Sequence, residues 1–138
     1  MIDAPLDHVA IVVADLEATI AFYTQTLGFS EVYREIVADQ GVEAVGLRAG
    51  ASVIELLRPL DDASPIARFR GDAPAKLHHT AYRVADVAAE LARLRALGIR
   101  LIDETPRPGA HGNTIAFLHP KSTGGVLIEL CQRVQERP

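Results

Sequence analysis

Apolar residues along this chain recur with two periods that alternate twice. Leu6-Asp7-His8-Val9-Ala10-Ile11-Val12-Val13 is rich in β-branched side chains and reads as a strand. Asp15 then caps a helix whose Leu16, Ile20, Tyr23 and Leu27 fall on one face, and Gly28 stops it. Phe29 to Val37 reads as a strand, with a turn through Asp39-Gln40-Gly41. Val42 to Leu47 and Ala51 to Leu57 read as a hairpin turned by Arg48-Ala49-Gly50. The Pro- and Asp-rich run from Arg58 to Pro65 breaks the pattern; Ile66 to Phe69 make one helical turn before Gly71 and Pro74 break it again.

The order then repeats. Leu77 to Val84 is a strand, Asp86 caps a helix with the stripe Val87, Leu91, Leu94 and Leu97, and Gly98 stops it. Ile99–Ile102, Thr114–Leu118 and Val126–Leu130 supply three more strands. Aligning His8 with His79 also matches Ala10 to Ala81, Val13 to Val84 and Asp15 to Asp86. The prediction is an α+β chain of two tandem βαβββ modules with pseudo-twofold symmetry. They cover about residues 5–58 and 76–132, joined by a linker over about 59–75, within one domain of residues 1–138.

Two residues do not suit their surroundings. Glu129 stands inside Gly125-Val126-Leu127-Ile128-Glu129-Leu130-Cys131, and Glu55 inside Val53-Ile54-Glu55-Leu56-Leu57. A carboxylate in a strand that is apolar on both faces needs a cation, donors or water. Each module therefore offers a histidine in its first strand and a glutamate in its last: His8 with Glu55, His79 with Glu129. Two imidazoles and two carboxylates suit a divalent first-row ion such as cobalt, nickel, manganese or zinc. The repeat selects His79 over His78, because a one-residue slip puts a side chain on the opposite face. His111, in a Gly-flanked loop, and His119, before Pro120, read as surface or substrate-loop residues.

Composition narrows the choice of partners. The 138 residues are 49% hydrophobic with a net charge of −4, so they can form a sizeable core. No basic run marks a nucleic-acid or anionic-membrane surface, and no apolar run spans a bilayer. With no signal peptide and a single cysteine, Cys131, the chain is expected to be cytoplasmic and free of internal disulfides. The tail from Gln132 to Pro138 reads as solvated and frayed.

Set beside the repeat and the His/Glu/His/Glu set, several stretches resemble the vicinal oxygen chelate (glyoxalase/bleomycin resistance/dioxygenase) superfamily and, within it, the methylmalonyl-CoA epimerase family. They are His8 to Glu17, Asp39 to Val42, Glu55 to Leu60, Ser64-Pro65-Ile66, Leu77-His78-His79 and Gly109-Ala110-His111-Gly112. Phe117-Leu118-His119-Pro120-Lys121-Ser122 with Gly125-Val126-Leu127-Ile128-Glu129-Leu130 is the most specific. The resemblance implies a curved, barrel-like mixed sheet around a metal site, with His8, Glu55, His79 and Glu129 as ligands and cobalt as the first choice of ion. It implies interconversion of (R)- and (S)-methylmalonyl-CoA by proton transfer at C2 through a metal-stabilised enolate, by a homodimer acting on an acyl-CoA.

Within that expectation Glu129 is the first base. The second acid/base residue is Glu43, with Glu55 or a metal-bound water as alternatives. A family glutamate falls where this chain has Ala44, and Glu43 is one residue early on a strand. His111, Lys121 and Ser122 are candidate substrate contacts. Competing readings are a glyoxalase I-like lactoylglutathione lyase, an extradiol dioxygenase and a non-catalytic drug-binding module of the same fold.

Overall fold

The structure is a computed structural model that describes residues 1–134. Its Cα positions divide into two compact units, one of residues 8–78, the other of residues 1–7 with the chain from His79 onward.

In the first unit, β1 (Leu6–Val13) leads into α1 (Leu16–Ala21), where the Asp15 carboxylate accepts from the Ala18 N–H at 3.0 Å. This cap satisfies one of the N–H groups that a helix start leaves orphaned. The helix then widens into a π-turn over Phe22–Thr26, closed by the Leu27 N–H on the Phe22 carbonyl. A π-turn adds a residue and rotates the chain beyond it. Leu27, expected on the apolar stripe, is therefore 52% exposed. Phe29 packs against Tyr23 instead, ring centroids 5.2 Å apart.

Three antiparallel strands come next: β2 (Ser30–Val37), β3 (Val42–Ala49) and β4 (Ser52–Pro59). β1 joins β4 in parallel, so the order is β2-β3-β4-β1. One face of these strands buries Val13, Val45, Leu47 and Leu56 against Leu16 of α1, with Ile20 and Tyr23 alongside. Each such side chain contributes about 1.5–3 kcal/mol on burial, and this cluster fixes which face is left for polar work. α2 (Pro65–Arg70) occupies the expected linker, with Ser64 accepting from the Ala67 N–H at its start.

The second unit repeats the scheme. β5 (Ala75–Arg83) leads to α3 (Val87–Ala96), capped by Asp86 on the Ala89 N–H. β6 (Arg107–Pro108), β7 (Thr114–Leu118) and β8 (Ile128–Gln132) complete it in the order β5-β8-β7-β6, with β5 and β8 again parallel. The core here is Val87, Leu91, Ala116, Leu118 and Leu130. Leu97 does not join it, because α3 ends at Ala96 and leaves it exposed.

The strand expected over Ile99–Ile102 shrinks to one bridge, Leu101 to Leu118. There the Ile102 and Asp103 N–H groups both donate to the Phe117 carbonyl, and the Asp103 carboxylate accepts from the Phe117 N–H. The tail also differs from expectation at its start. Gln132 belongs to β8, its side chain accepts from the Val87 N–H, and Arg133 pairs with Asp7 at 2.7 Å. The rest of that tail, residues 135–138, lies outside the described residues. The α+β class and the duplicated module are as the sequence predicts.

Candidate metal and proton-transfer site

Register places the four expected donors. In the first unit Ala10 pairs with Glu55, and in the second Ala81 pairs with Glu129. Side chains alternate along a strand, so the histidine two residues before each alanine shares a face with the glutamate. His8 Nε2 lies 3.6 Å from Glu55 Oε1, and His79 Nε2 lies 3.2 Å from Glu129 Oε2. All four are buried, at 6%, 5%, 3% and 4% exposure for His8, Glu55, His79 and Glu129. Each unit thus repeats one buried imidazole–carboxylate pair at the same step of the same parallel ladder. Burying an ionised carboxylate costs several kcal/mol unless charge or donors offset it, and a divalent ion is the partner that suits paired imidazole and carboxylate oxygen. His78, next in line, turns away and meets the Phe69 ring edge-on at 5.0 Å.

The first unit adds a detail that the sequence does not announce. Tyr33 on β2 pairs with Gly46 on β3, and Gly46 pairs with Glu55 on β4. The three lie in one row across the sheet. Gly46 has no side chain to block the row, and a Cβ built there would sit 2.2 Å from the Tyr33 ring. The phenol therefore reaches across β3, and its O–H donates to Glu55 Oε2 at 2.6 Å. The signal in the sequence is a glycine inside an apolar strand, which marks a close approach. Glu35, which pairs with Ala44, shares this face with Tyr33.

Glu43 does not. It pairs with Arg58 on β4, one step out of phase with Gly46 and Glu55, and so lies on the helix-covered face. Its carboxylate accepts from Arg34 Nε at 3.0 Å and from Arg58 Nε and Nη2 at 3.1 and 3.0 Å. Arg34 also donates to Glu17 of α1. The Arg34 hydrogen bond, helped by Arg58, holds the Glu43 carboxyl below the usual carboxylate range against the opposing effect of burial. The hydrogen bonds that Arg34 donates to Glu17 and Glu43 push its guanidinium up in turn. Strand parity counts against the expectation that Glu43 serves as the second acid/base group: it faces away from His8 and Glu55 and is held as an anion between two cations.

In the second unit the place equivalent to Gly46 belongs to Phe117, which pairs with Glu129. Its ring meets His79 edge-on at 5.2 Å, and the Arg107 guanidinium lies 5.5 Å from its centroid. The candidate substrate residues sit in two loops. His111 has a left-handed backbone (φ 59°, ψ 31°), unusual for a residue with a Cβ. The Lys121 N–H donates to His119 Nδ1, and Ser122 Oγ accepts from the Arg100 N–H at 2.9 Å. The contacts of Lys121 and Ser122 are local loop contacts that brace the turn before β8.

Comparison with known proteins agrees with this arrangement. The family model of the glyoxalase/bleomycin resistance protein/dioxygenase superfamily matches residues 7–117. The chain is 43% identical over 129 residues to the ethylmalonyl-CoA/methylmalonyl-CoA epimerase of Cereibacter sphaeroides, covering 92% of this chain and 96% of that one. A methylmalonyl-CoA epimerase crystal structure from Mycobacterium tuberculosis superposes with a TM-score of 0.89 at 43% identity, covering 94% of this chain and 88% of that one. A methylmalonyl-CoA epimerase in complex with methylmalonyl-CoA and NH4+ gives 0.90 at 37% identity, covering 98% and 99%. The chain belongs to the glyoxalase/bleomycin resistance protein/dioxygenase superfamily and, within it, to the methylmalonyl-CoA epimerase family.

Proposed function

We propose that this chain is an isomerase that interconverts (R)- and (S)-methylmalonyl-CoA by removing and returning the proton at C2. The observation that carries the chemistry is the duplicated imidazole–carboxylate pair: His8 with Glu55 and His79 with Glu129, each buried at the same ladder step. Together the four would hold one divalent first-row ion, which mixed nitrogen and oxygen donors suit; cobalt is the first choice by resemblance to the family, with nickel, manganese and zinc as alternatives. When bound, the ion supplies positive charge where negative charge develops on the thioester and carboxylate oxygens.

The chain's own groups move the proton. Glu129 takes it from C2, since an anionic carboxylate is the ordinary base for a carbon acid of this kind. Return to the opposite face needs a second group. With Glu43 turned away, the carboxylates left on the site face of the first unit are Glu55 and Glu35. The strained His111 turn, with Lys121 and Ser122, is assigned to the acyl-CoA arm; backbone strain of this kind concentrates at ligand-clamping loops. A homodimer, a cytoplasmic location and the working of the two units as one domain belong to the same proposal. Among the described residues no helix is long and apolar enough to cross a membrane.

The test is solvent deuterium exchange at C2 of methylmalonyl-CoA, monitored by NMR with metal-loaded and chelator-treated protein. Metal-dependent incorporation is expected. Turnover of glutathione hemithioacetal in place of methylmalonyl-CoA by the same sample would move the assignment to a glyoxalase I-like lyase.

A further inference from the structure

The two halves of the donor set are alike in backbone register and unlike in what surrounds their carboxylates. Glu55 is reached by the Tyr33 phenol across Gly46, at 2.6 Å. At the matching place beside Glu129 stands Phe117, whose ring offers no hydrogen bond. The geometry points to Tyr33 as a positioning residue for Glu55, with Gly46 as the gap that admits it. The inference rests on the metal reading above and adds to it a residue that sets how one carboxylate presents itself. The O–H holds Oε2, which leaves Oε1 as the oxygen on the His8 side, where the separation is 3.6 Å. A carboxylate can otherwise swing about its last torsion, which is broad and two-fold. Pinning one oxygen removes that freedom before a ligand arrives, and partners of this kind are worth 10–100-fold in metal affinity.

The row also explains why two substitutions should act alike. Tyr33→Phe keeps the ring over Gly46 and deletes only the O–H. Gly46→Ala keeps the O–H but places a methyl group 2.2–2.6 Å from three ring atoms, so the phenol must move off the row. A purely packing role for Tyr33 predicts that the first change is silent and the second is not.

Chelator-stripped wild type, Tyr33→Phe and Gly46→Ala are titrated with Co2+, reading affinity by calorimetry and the ligand environment by the visible cobalt spectrum. Thermal unfolding of each metal-free protein checks the fold. Expected is about a 10-fold or greater loss of Co2+ affinity in both variants, with an altered cobalt spectrum. The metal-free melting point of Tyr33→Phe is expected to stay close to wild type. Wild-type affinity and an unchanged spectrum in Tyr33→Phe overturn the positioning role and leave the metal reading standing. A wild-type protein that takes up no Co2+ overturns both.

Discussion

Glu129 and Glu43 are both carboxylates within a core-bearing strand, and their exchange for glutamine separates the proposed reaction from the architecture. Glu129→Gln keeps size and shape at a position 4% exposed, so the β5-β8 pairing and the Leu130 core beside it should persist. What is lost is the anionic oxygen 3.2 Å from His79. A positioned general base is worth about 10²–10⁴ in rate, or about 3–5.5 kcal/mol on the barrier. Glu43→Gln removes an anion that accepts three hydrogen bonds from Arg34 and Arg58, but on the helix-covered face and with both arginines partly exposed. Solvent screening limits such a loss to about 1 kcal/mol, a few degrees in melting point for a chain of this size.

Deuterium incorporation at C2 and thermal unfolding, measured on both variants, should therefore give opposite patterns. Glu129→Gln melts near wild type and exchanges at least 100-fold more slowly, while Glu43→Gln melts lower and exchanges within about two-fold of wild type. Loss of exchange in Glu43→Gln with normal exchange in Glu129→Gln would refute the parity argument and the base assignment together.

Removal and return of the ion should change stability as well as activity. A free divalent concentration 100 times Kd adds about 2.7 kcal/mol, read as a higher melting point that a chelator reverses. In acid the unfolding free energy should fall as Glu43 and Glu90 protonate, since Arg34 and Arg93 hold their carboxyls below the unfolded value. A lowered carboxyl stabilises the fold above the unfolded pKa and loses that contribution as pH drops through the folded one. Urea titrations below about pH 5 should therefore show a shallower slope in Glu43→Gln. Leu56→Ala, at a position fully buried between sheet and α1, should cost about 2–5 kcal/mol in urea unfolding. A smaller loss would mean that the Val13, Val45 and Leu47 cluster closes the cavity.

Much of this molecule is legible in the sequence because its information is periodic. β1 runs from Leu6 to Val13 as alternation and β-branching predict, and Asp15 and Asp86 cap where short acceptors before apolar runs should. The pairing of histidine with glutamate comes from a repeat, and a repeat fixes register by itself. What escapes is aperiodic. The π-turn at Phe22–Thr26 leaves no mark on spacing, so the expected stripe runs one residue too far, to Leu27. The hydrogen bond from Tyr33 to Glu55 spans three strands, and Gly46 marks a close approach there without saying which side chains meet. Glu43 lies one residue from the family position, yet parity alone turns it away, and the Arg34 and Arg58 partners complete the reason.

The parallel ladders carry a consequence for biosynthesis. Val9 meets Ile54 and Thr80 meets Ile128, so each half is sealed by a bond between its first strand and its last. Such long-separation pairings form late, after the loop-closure entropy has been met. Until Glu55 or Glu129 has been added, the histidine of that half, His8 or His79, lacks the glutamate it pairs with. Each imidazole–carboxylate pair is thus expected to be complete only once its own parallel ladder has closed.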